Sequence, residues 1–479
     1  MLRRLCAASL LVLAIAPARA ANLDVTAGYR MKAVSYSNLN LTGDKPFQYN
    51  HSFISNDARL GIAVRKIELE PRGGDMTTMD VGITLRALGA SGSTSTVRAA
   101  PFDRVAANYP SADFTPFIEQ AYVRVNRFLG YPLEATFGRQ NYRLGSGLLL
   151  DDDGAGLTGI TVRGDLPWWG MKAEGFVFSD RDSRRAAQGG EDNSLALFGF
   201  AVDLPSEGVW QLNQLFERDR AQQQIYGCSY ANAAGGAQPP SYACYASRTL
   251  KSFSSLRYTL SYGPIVFDGE AAYQRGTASP INHPGDTALN GTLNRPPGRI
   301  TYNANAQVVK AKWKQSLPRL GEGIARVSVA RGSGDDAATT TRDEAFYPAH
   351  GHQFDGLDRS GFGSFFNATP YSAFGGNYGS TTTASGLQEG SSGIMVVGVG
   401  YTPPAYKGVI FDADFYLFQT ERATRGVHTL GTEWDLRLRY NVQDRFGISV
   451  STAFFKSGKA TLGNGASAKK YALEAFGRF

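Results

Sequence analysis

Near the start of the chain, Leu23-Asp24-Val25-Thr26-Ala27-Gly28-Tyr29-Arg30-Met31-Lys32-Ala33 alternates without a break between apolar or small residues and polar ones. Successive side chains of an extended strand point to opposite faces. This stretch therefore sets Leu23, Val25, Ala27, Tyr29, Met31 and Ala33 against Asp24, Thr26, Arg30 and Lys32. One face needs an apolar surrounding and the other needs water. The same period returns in Leu60, Ile62 and Val64 against Arg59 and Arg65, and in Met79, Val81, Ile83 and Leu85 against Asp80, Thr84 and Arg86. It returns again in Leu430, Trp434, Leu436, Leu438 and Tyr440 against Glu433, Asp435, Arg437 and Arg439.

Extended along the chain, the pattern predicts eighteen strands, near 22–36, 51–67, 77–89, 117–127, 132–140, 156–166, 169–179, 194–204, 208–218, 248–262, 264–277, 300–315, 322–332, 391–403, 407–420, 428–442, 445–457 and 469–479. Brief connections such as Phe128–Tyr131, Pro205–Glu207 and Pro403-Pro404 alternate with long ones. Two blur the alternation: Glu68–Met76 is long for a turn and Glu421–Val427 is short for a loop. Short periplasmic turns against longer extracellular loops are the signature of a transmembrane β-barrel, and strands of about 11 residues suit a tilted crossing. The fold class is all-β, an antiparallel up-and-down barrel of about eighteen strands.

Composition sets the compartment. Residues 1–20 carry Arg3 and Arg4, an apolar run over Leu10–Ala16 and the small-x-small site Ala18-Arg19-Ala20, which reads as a cleaved export signal. Of the 49 Lys+Arg, the signal holds three, so the mature chain sets 46 against 42 Asp+Glu, a balance of +4 that excludes a nucleic-acid-type polycation. Beyond residue 20 no run approaches the roughly 18 apolar residues of a membrane helix. The expectation is one domain over 21–479 in the outer membrane of a Gram-negative bacterium, with outer-membrane lipid as its surroundings. Long extracellular loops are expected near 90–116, 219–247 and 332–390. Cys228 and Cys244 fall in one outward loop, where a disulfide is the default in an oxidising compartment. The alternating Tyr471, Leu473, Ala475 and terminal Phe479 resemble the signal that the outer-membrane insertion machinery recognises, with Gly477 departing from the usual larger residue.

An eighteen-stranded barrel is wide enough for an aqueous channel, so inward residues carry the function. Arg30, Arg59, Arg65, Arg86, Arg124 and Arg163 give one basic wall, whereas Asp412, Asp414, Glu433 and Asp435 give an acidic one, with Arg437 and Arg439 beside it. Such opposed charges either orient a charged or polyhydroxylated solute or pair with one another. In the twelfth strand Tyr302, Ala304, Ala306 and Val308 share parity with Lys310, Lys312 and Lys314. Either a β-bulge near Val308 turns the lysines inward or they lie near the periplasmic rim.

Phe137-Gly138-Arg139-Gln140 with Gly145, Gly147 and Asp151-Asp152-Asp153, together with Ala330-Arg331-Gly332-Ser333-Gly334-Asp335-Asp336, resembles the alginate export family of outer-membrane barrels. The resemblance implies a passive channel for an anionic oligo- or polysaccharide, a lumen constricted by arginines and a long loop acting as a gate. Arg139 and Arg331 are the matched positions. By parity both fall on the outward register, and a bulge at Gly138 or the end of the strand would release them inward.

Other chemistry is weighed and set aside. His350-Gly351-His352 has a spacing that could bind an ion, but a solvated pair explains it better. The Asp151–Asp153 run could collect calcium, but an exposed acidic loop is the commoner case. No Gly-x-Ser-x-Gly elbow accompanies a strand-to-helix pattern, so neither an enzyme nor a cofactor is expected. Nine aromatics between Gly332 and Gly390, among them Phe346, Phe365 and Phe366, predict that part of this loop folds into the mouth and narrows it. The sequence thus favours an anionic-polysaccharide channel, over a general nutrient porin or a sheath around a periplasmic electron-transfer partner.

Overall fold

The computed structural model describes residues 21–38, 50–69, 76–92, 114–166, 170–181, 194–219, 223–225, 244–281, 299–319, 321–336, 342–352, 354–367, 393–423, 426–443, 445–461 and 464–479, with a few single residues besides. Residues 1–20, Cys228 and most of the expected loops 90–116 and 219–247 lie outside the described residues.

The chain forms eighteen long strands. They are β1 (Asn22–Ser37), β2 (His51–Glu68), β3 (Thr78–Gly92), β4 (Phe117–Asn126), β5 (Leu133–Gln140) and β6 (Leu157–Leu166). Next come β7 (Met171–Arg181), β8 (Ser194–Pro205), β9 (Val209–Asp219), β10 (Cys244–Tyr262), β11 (Ile265–Ile281) and β12 (Ile300–Leu317). The last are β13 (Gly321–Gly332), β14 (Ile394–Thr402), β15 (Val409–Gln419), β16 (Thr429–Val442), β17 (Phe446–Ser457) and β18 (Ser467–Arg478). Each pairs antiparallel with the next. β18 pairs back onto β1, from Gly28 opposite Arg478 to Ser37 opposite Lys469, so the sheet closes on itself. Closure satisfies the strand hydrogen bonds that lipid could not.

The alternation read from the sequence becomes an outside and an inside. Leu23, Val25 and Met31 on β1, Val81, Ile83 and Leu85 on β3, Trp434 and Leu438 on β16, and Tyr471 and Leu473 on β18 all stand exposed on the outer surface. Tyr131, Tyr262 and Tyr406, at the short turns, are exposed as well, as expected of an interfacial aromatic girdle.

The lumen is not uniform along its length. In the half away from the short turns, many inward side chains are apolar and buried, among them Tyr36, Phe53, Leu88, Phe178, Phe253, Phe418 and Phe455. They pack on two chain segments that turn inward, 141–156 between β5 and β6 and 333–367 after β13. The first contributes Leu148, Leu149 and Leu150, and the second Phe346, Phe365 and Phe366, all buried. Phe366 stacks on Phe455 with ring centroids 4.8 Å apart and planes 7° from parallel. Phe346, Phe365 and Phe366 of the long loop therefore pack on the wall. Each buried Phe or Leu stabilises the docked state by about 1.5–3 kcal/mol relative to exposure.

On β12 the structure shows no bulge. The β11–β12 register runs unbroken from Ile265 opposite Trp313 to Ala278 opposite Ile300. Ala304 and Ala306 are completely buried, small enough to admit the inserted segments. Lys310 and Lys312 continue the same inward face toward the short turns.

Candidate functional site

The inserted segments are pinned by charged residues of the wall. Glu433 on β16, fully buried, accepts the backbone N–H of Phe365 at 2.5 Å and of Phe366 at 3.0 Å, while Asp435 accepts that of Ser364 at 2.8 Å. Lys470 on β18 donates to the Ser364 carbonyl at 2.7 Å. Glu270 on β11 accepts the backbone N–H of Ser146 at 2.8 Å and the Ser255 hydroxyl at 2.6 Å, and Gln274 accepts the Tyr347 N–H at 2.8 Å. Backbone donors of a non-helical, non-sheet segment buried in a lumen need such partners. The sequence pattern showed Glu433 and Asp435 as inward. It gave no sign that their partners would be main-chain groups.

The basic wall is likewise engaged. Arg86, buried, donates to Asp57 at 2.7 and 3.0 Å and to the carbonyl of Gly154 at 3.0 Å. Arg30 holds Asp355 of the second segment at 2.6 Å, and Arg59 sits 3.2 Å from Glu119. Burial alone would raise the Asp355 carboxyl, but the charge and hydrogen bond of Arg30 together with the charges of Arg86 and Arg59 hold it below the usual range. Toward the chain's short turns, Arg65 pairs with Asp24 at 2.6 Å, Arg124 with Glu134 at 3.5 Å, and Arg163 with Glu174 at 3.4 Å. On the acidic side, Arg439 meets Asp412 at 2.8 Å and Arg326 meets Asp414 at 2.9 Å. Arg437 is exposed on the lumen side. Of the two readings open at the sequence level, mutual pairing describes most of these residues.

Arg139 and Arg331 are placed apart from the lumen wall. The ladders on both sides of β5 run without a shift through Gly138, and Arg139 stays on the outward register, opposite Ala121 and Thr158. Its Nη2–H donates to the Ala155 carbonyl at 2.6 Å, clamping the first segment's return into β6. Gly138 has φ +115°, and a side chain there would meet the Ala121 carbonyl, so the glycine serves close strand approach and not a bulge. Arg331 shares the outward parity of exposed Val327 and Val329 and bonds Glu421 and Asn305, each at 2.9 Å. The constriction by Arg139 and Arg331 that the resemblance implied is thus not where these residues lie. Both end at the rim, where the strand leaves the barrel wall. Cys244 opens β10, and its expected partner lies outside the described residues.

Where the two segments face β12–β15, a cavity of about 280 Å³ remains, lined by Arg143, Lys310, Lys312, Arg326 and His352 with Asp414 as the acid among them. Lys310 lies 5.4 Å above the Phe362 ring. Sequence parity flagged Arg326 and left Lys310 and Lys312 ambiguous. Arg143 and His352 come from loops, for which no parity exists. His352 Nδ1 lies 2.8 Å from Asp153 and 3.2 Å from Asp151, and Arg143 lies 3.2 Å from Asp151. Burial opposes charge on the imidazole, but the two carboxylates beside it prevail and push its pKa up to about 9. Burial pushes the neighbouring Asp152 up to about 6, against the N–H groups of Gly156 and Tyr142 that it accepts.

No family model matches the chain, and no curated protein matches it either. Solved structures do. OccAB1 of Acinetobacter baumannii superposes with a TM-score of 0.52 at 9% identity, covering 95% of this chain and 96% of that one. OccK9 (OpdG) of Pseudomonas aeruginosa gives 0.51 at 12% identity, covering 96% and 98%. OccAB4 of A. baumannii gives 0.50 at 10%, covering 95% and 98%. At such identities the likeness is one of fold, and nothing in it singles out the alginate export family. A closed eighteen-stranded barrel with a lipid-facing apolar exterior is what the comparisons and the geometry share: the chain is an outer-membrane β-barrel of a Gram-negative bacterium.

Proposed function

We propose that the protein is a passive channel for small anionic solutes, carboxylates above all, and not a conduit for intact polysaccharide. The observation that carries this reading is the cavity where the inserted segments face β12–β15, lined by Arg143, Lys310, Lys312, Arg326 and His352 with Asp414 as the acid of the lining and Asp151 and Asp153 behind Arg143 and His352. Clustered cations on low-dielectric walls focus the field and raise the local concentration of anions. A space of about 280 Å³ suits one small solute at a time. An extended uronate polymer would need the docked segments to leave, breaking the Glu433, Asp435 and Glu270 anchors together. One- or two-residue uronate fragments remain within the reading. A sheath around a protein partner requires an open lumen, and two segments occupy this one.

The test is the reversal potential of the refolded mature barrel in a planar bilayer under a potassium chloride gradient, followed by addition of galacturonate and of a long oligogalacturonate. Anion preference, with current interrupted by the monomer, is the expected result. A cation-preferring or unselective pore would overturn the reading, and passage of the long oligomer would restore the polysaccharide channel.

A further inference from the structure

Two short motifs that carry no weight separately in the sequence, Asp151-Asp152-Asp153 and His350-Gly351-His352, are brought face to face by the two inserted segments. One oxygen each from Asp151 and Asp153 and one nitrogen of His352 all lie within 4.8 Å of one another. We propose that these three side chains bind one divalent transition ion of the Zn2+ type, which staples the first inserted segment to the second inside the lumen.

The donor set selects the ion. One imidazole and two carboxylates make a borderline mixture that suits zinc and its neighbours, whereas calcium takes six to eight oxygens. His352 Nδ1 stands 2.8 and 3.2 Å from the two carboxylates. Ligands about 2.0–2.2 Å from a tetrahedral ion are separated by a little over 3 Å, so the two His352–carboxylate distances need to change by only a few tenths of an ångström, while the two carboxylates, within 4.8 Å of one another, settle to the same spacing. On binding, the ring proton that now faces the carboxylates leaves to solvent, and the ion takes its place.

The frame stands before the ion arrives. The Asp151 N–H donates to the His350 carbonyl at 2.5 Å and the His352 N–H to the Gly147 carbonyl at 3.0 Å. The Asp153 N–H donates to the Asp151 carboxylate at 2.9 Å, orienting it. Both carboxylates are buried, while His352 is about one third exposed and lines the cavity, which gives the ion a path from the lumen. Three protein ligands leave a fourth position directed to water or to an anion in the cavity. Arg143, 3.2 Å from Asp151 and half exposed, is the resident competitor. It opposes a cation where it lies and has room to swing into the cavity.

Equilibrium dialysis of the refolded, detergent-solubilised mature barrel against Zn2+, read by elemental analysis, tests the site, with heat-modifiable migration confirming a folded barrel for every variant. One equivalent of zinc is expected, undiminished by excess calcium. His352→Ala and Asp153→Asn should each weaken binding at least tenfold, His350→Ala should leave it unchanged, and Arg143→Gln should tighten it several-fold. Should His352→Ala fail to fold, His352→Gln replaces it. Absence of a bound equivalent, binding retained in both the His352 and Asp153 variants, or loss on His350→Ala would each overturn the proposal.

Discussion

Glu433 reaches across the lumen wall to accept the backbone N–H of Phe365 at 2.5 Å, a contact between residues 68 apart in the chain. Its other oxygen takes the N–H of Phe366. Glu433→Ala would leave two buried donors without acceptors, each costing about 1–3 kcal/mol. We expect the second segment to detach and single-channel conductance to rise, with Glu433→Gln intermediate. Conductance equal to that of the wild type in the alanine variant would mean that Phe365 and Phe366 hold the segment by ring packing alone.

Arg86 is completely enclosed, and its removal takes from the buried Asp57 its nearest cation, leaving Arg30 at 3.7 Å and Arg59 at 3.8 Å. Breaking such a pair costs about 3–5 kcal/mol, so Arg86→Met should lower the temperature at which the barrel loses heat-modifiable migration. Arg86→Met combined with Asp57→Leu should recover much of the loss, because Arg30 and Arg59 keep Asp355 and Glu119 as partners. A double variant no better than the single one would show that the Gly154 carbonyl, and not Asp57, is the partner that matters.

Lys310 and Lys312 supply cavity charge, and Lys310 also stands over the Phe362 ring of the second segment. Replacing both by Gln should move the reversal potential toward that of a neutral pore while conductance changes less than twofold. An unchanged reversal potential would relocate selectivity to the arginines of β1–β3.

Strands were legible because lipid outside and water or polar groups inside impose a two-residue period on each of them, and the eighteen segments read from alternation coincide with those of the barrel to within a few residues. The interior was less legible for a physical reason. A docked segment is recognised through its main chain, as at Phe365 and Ser146, and a backbone N–H has no sequence signature. On β12, the shared parity of Ala304 and Ala306 with Lys310 and Lys312 left a bulge open, whereas the two alanines are inward and small, making room for an inserted loop. Arg139 and Arg331 carry short motifs whose parity already pointed outward, and the ladder follows the parity.

Asp335, just past β13, offers a pH test. Burial, compounded by Asp343, pushes its carboxyl up to about 8, above its unfolded value of 3.8. The folded state thus binds more protons, so the stability tied to this group is full below about pH 4, falls as pH rises toward 8, and is flat beyond. Protease cleavage near residues 333–344 should be faster at pH 9 than at pH 6, and Asp335→Asn should remove the difference. Equal rates for the wild type at both values would place the proton elsewhere.

The apolar packing of the inserted segments occupies one half of the lumen's length, while the half toward the short turns keeps Lys312, Arg257 paired with Asp268 at 2.8 Å, and Arg163. A conduit narrowed by apolar packing toward one end and lined by charge toward the other is electrically one-sided. Ions gather in the charged vestibule when the applied voltage drives them from that end and are depleted when it is reversed. The barrel should accordingly behave as a rectifier, passing unequal currents at equal and opposite voltages, with its inserted segments setting the sense.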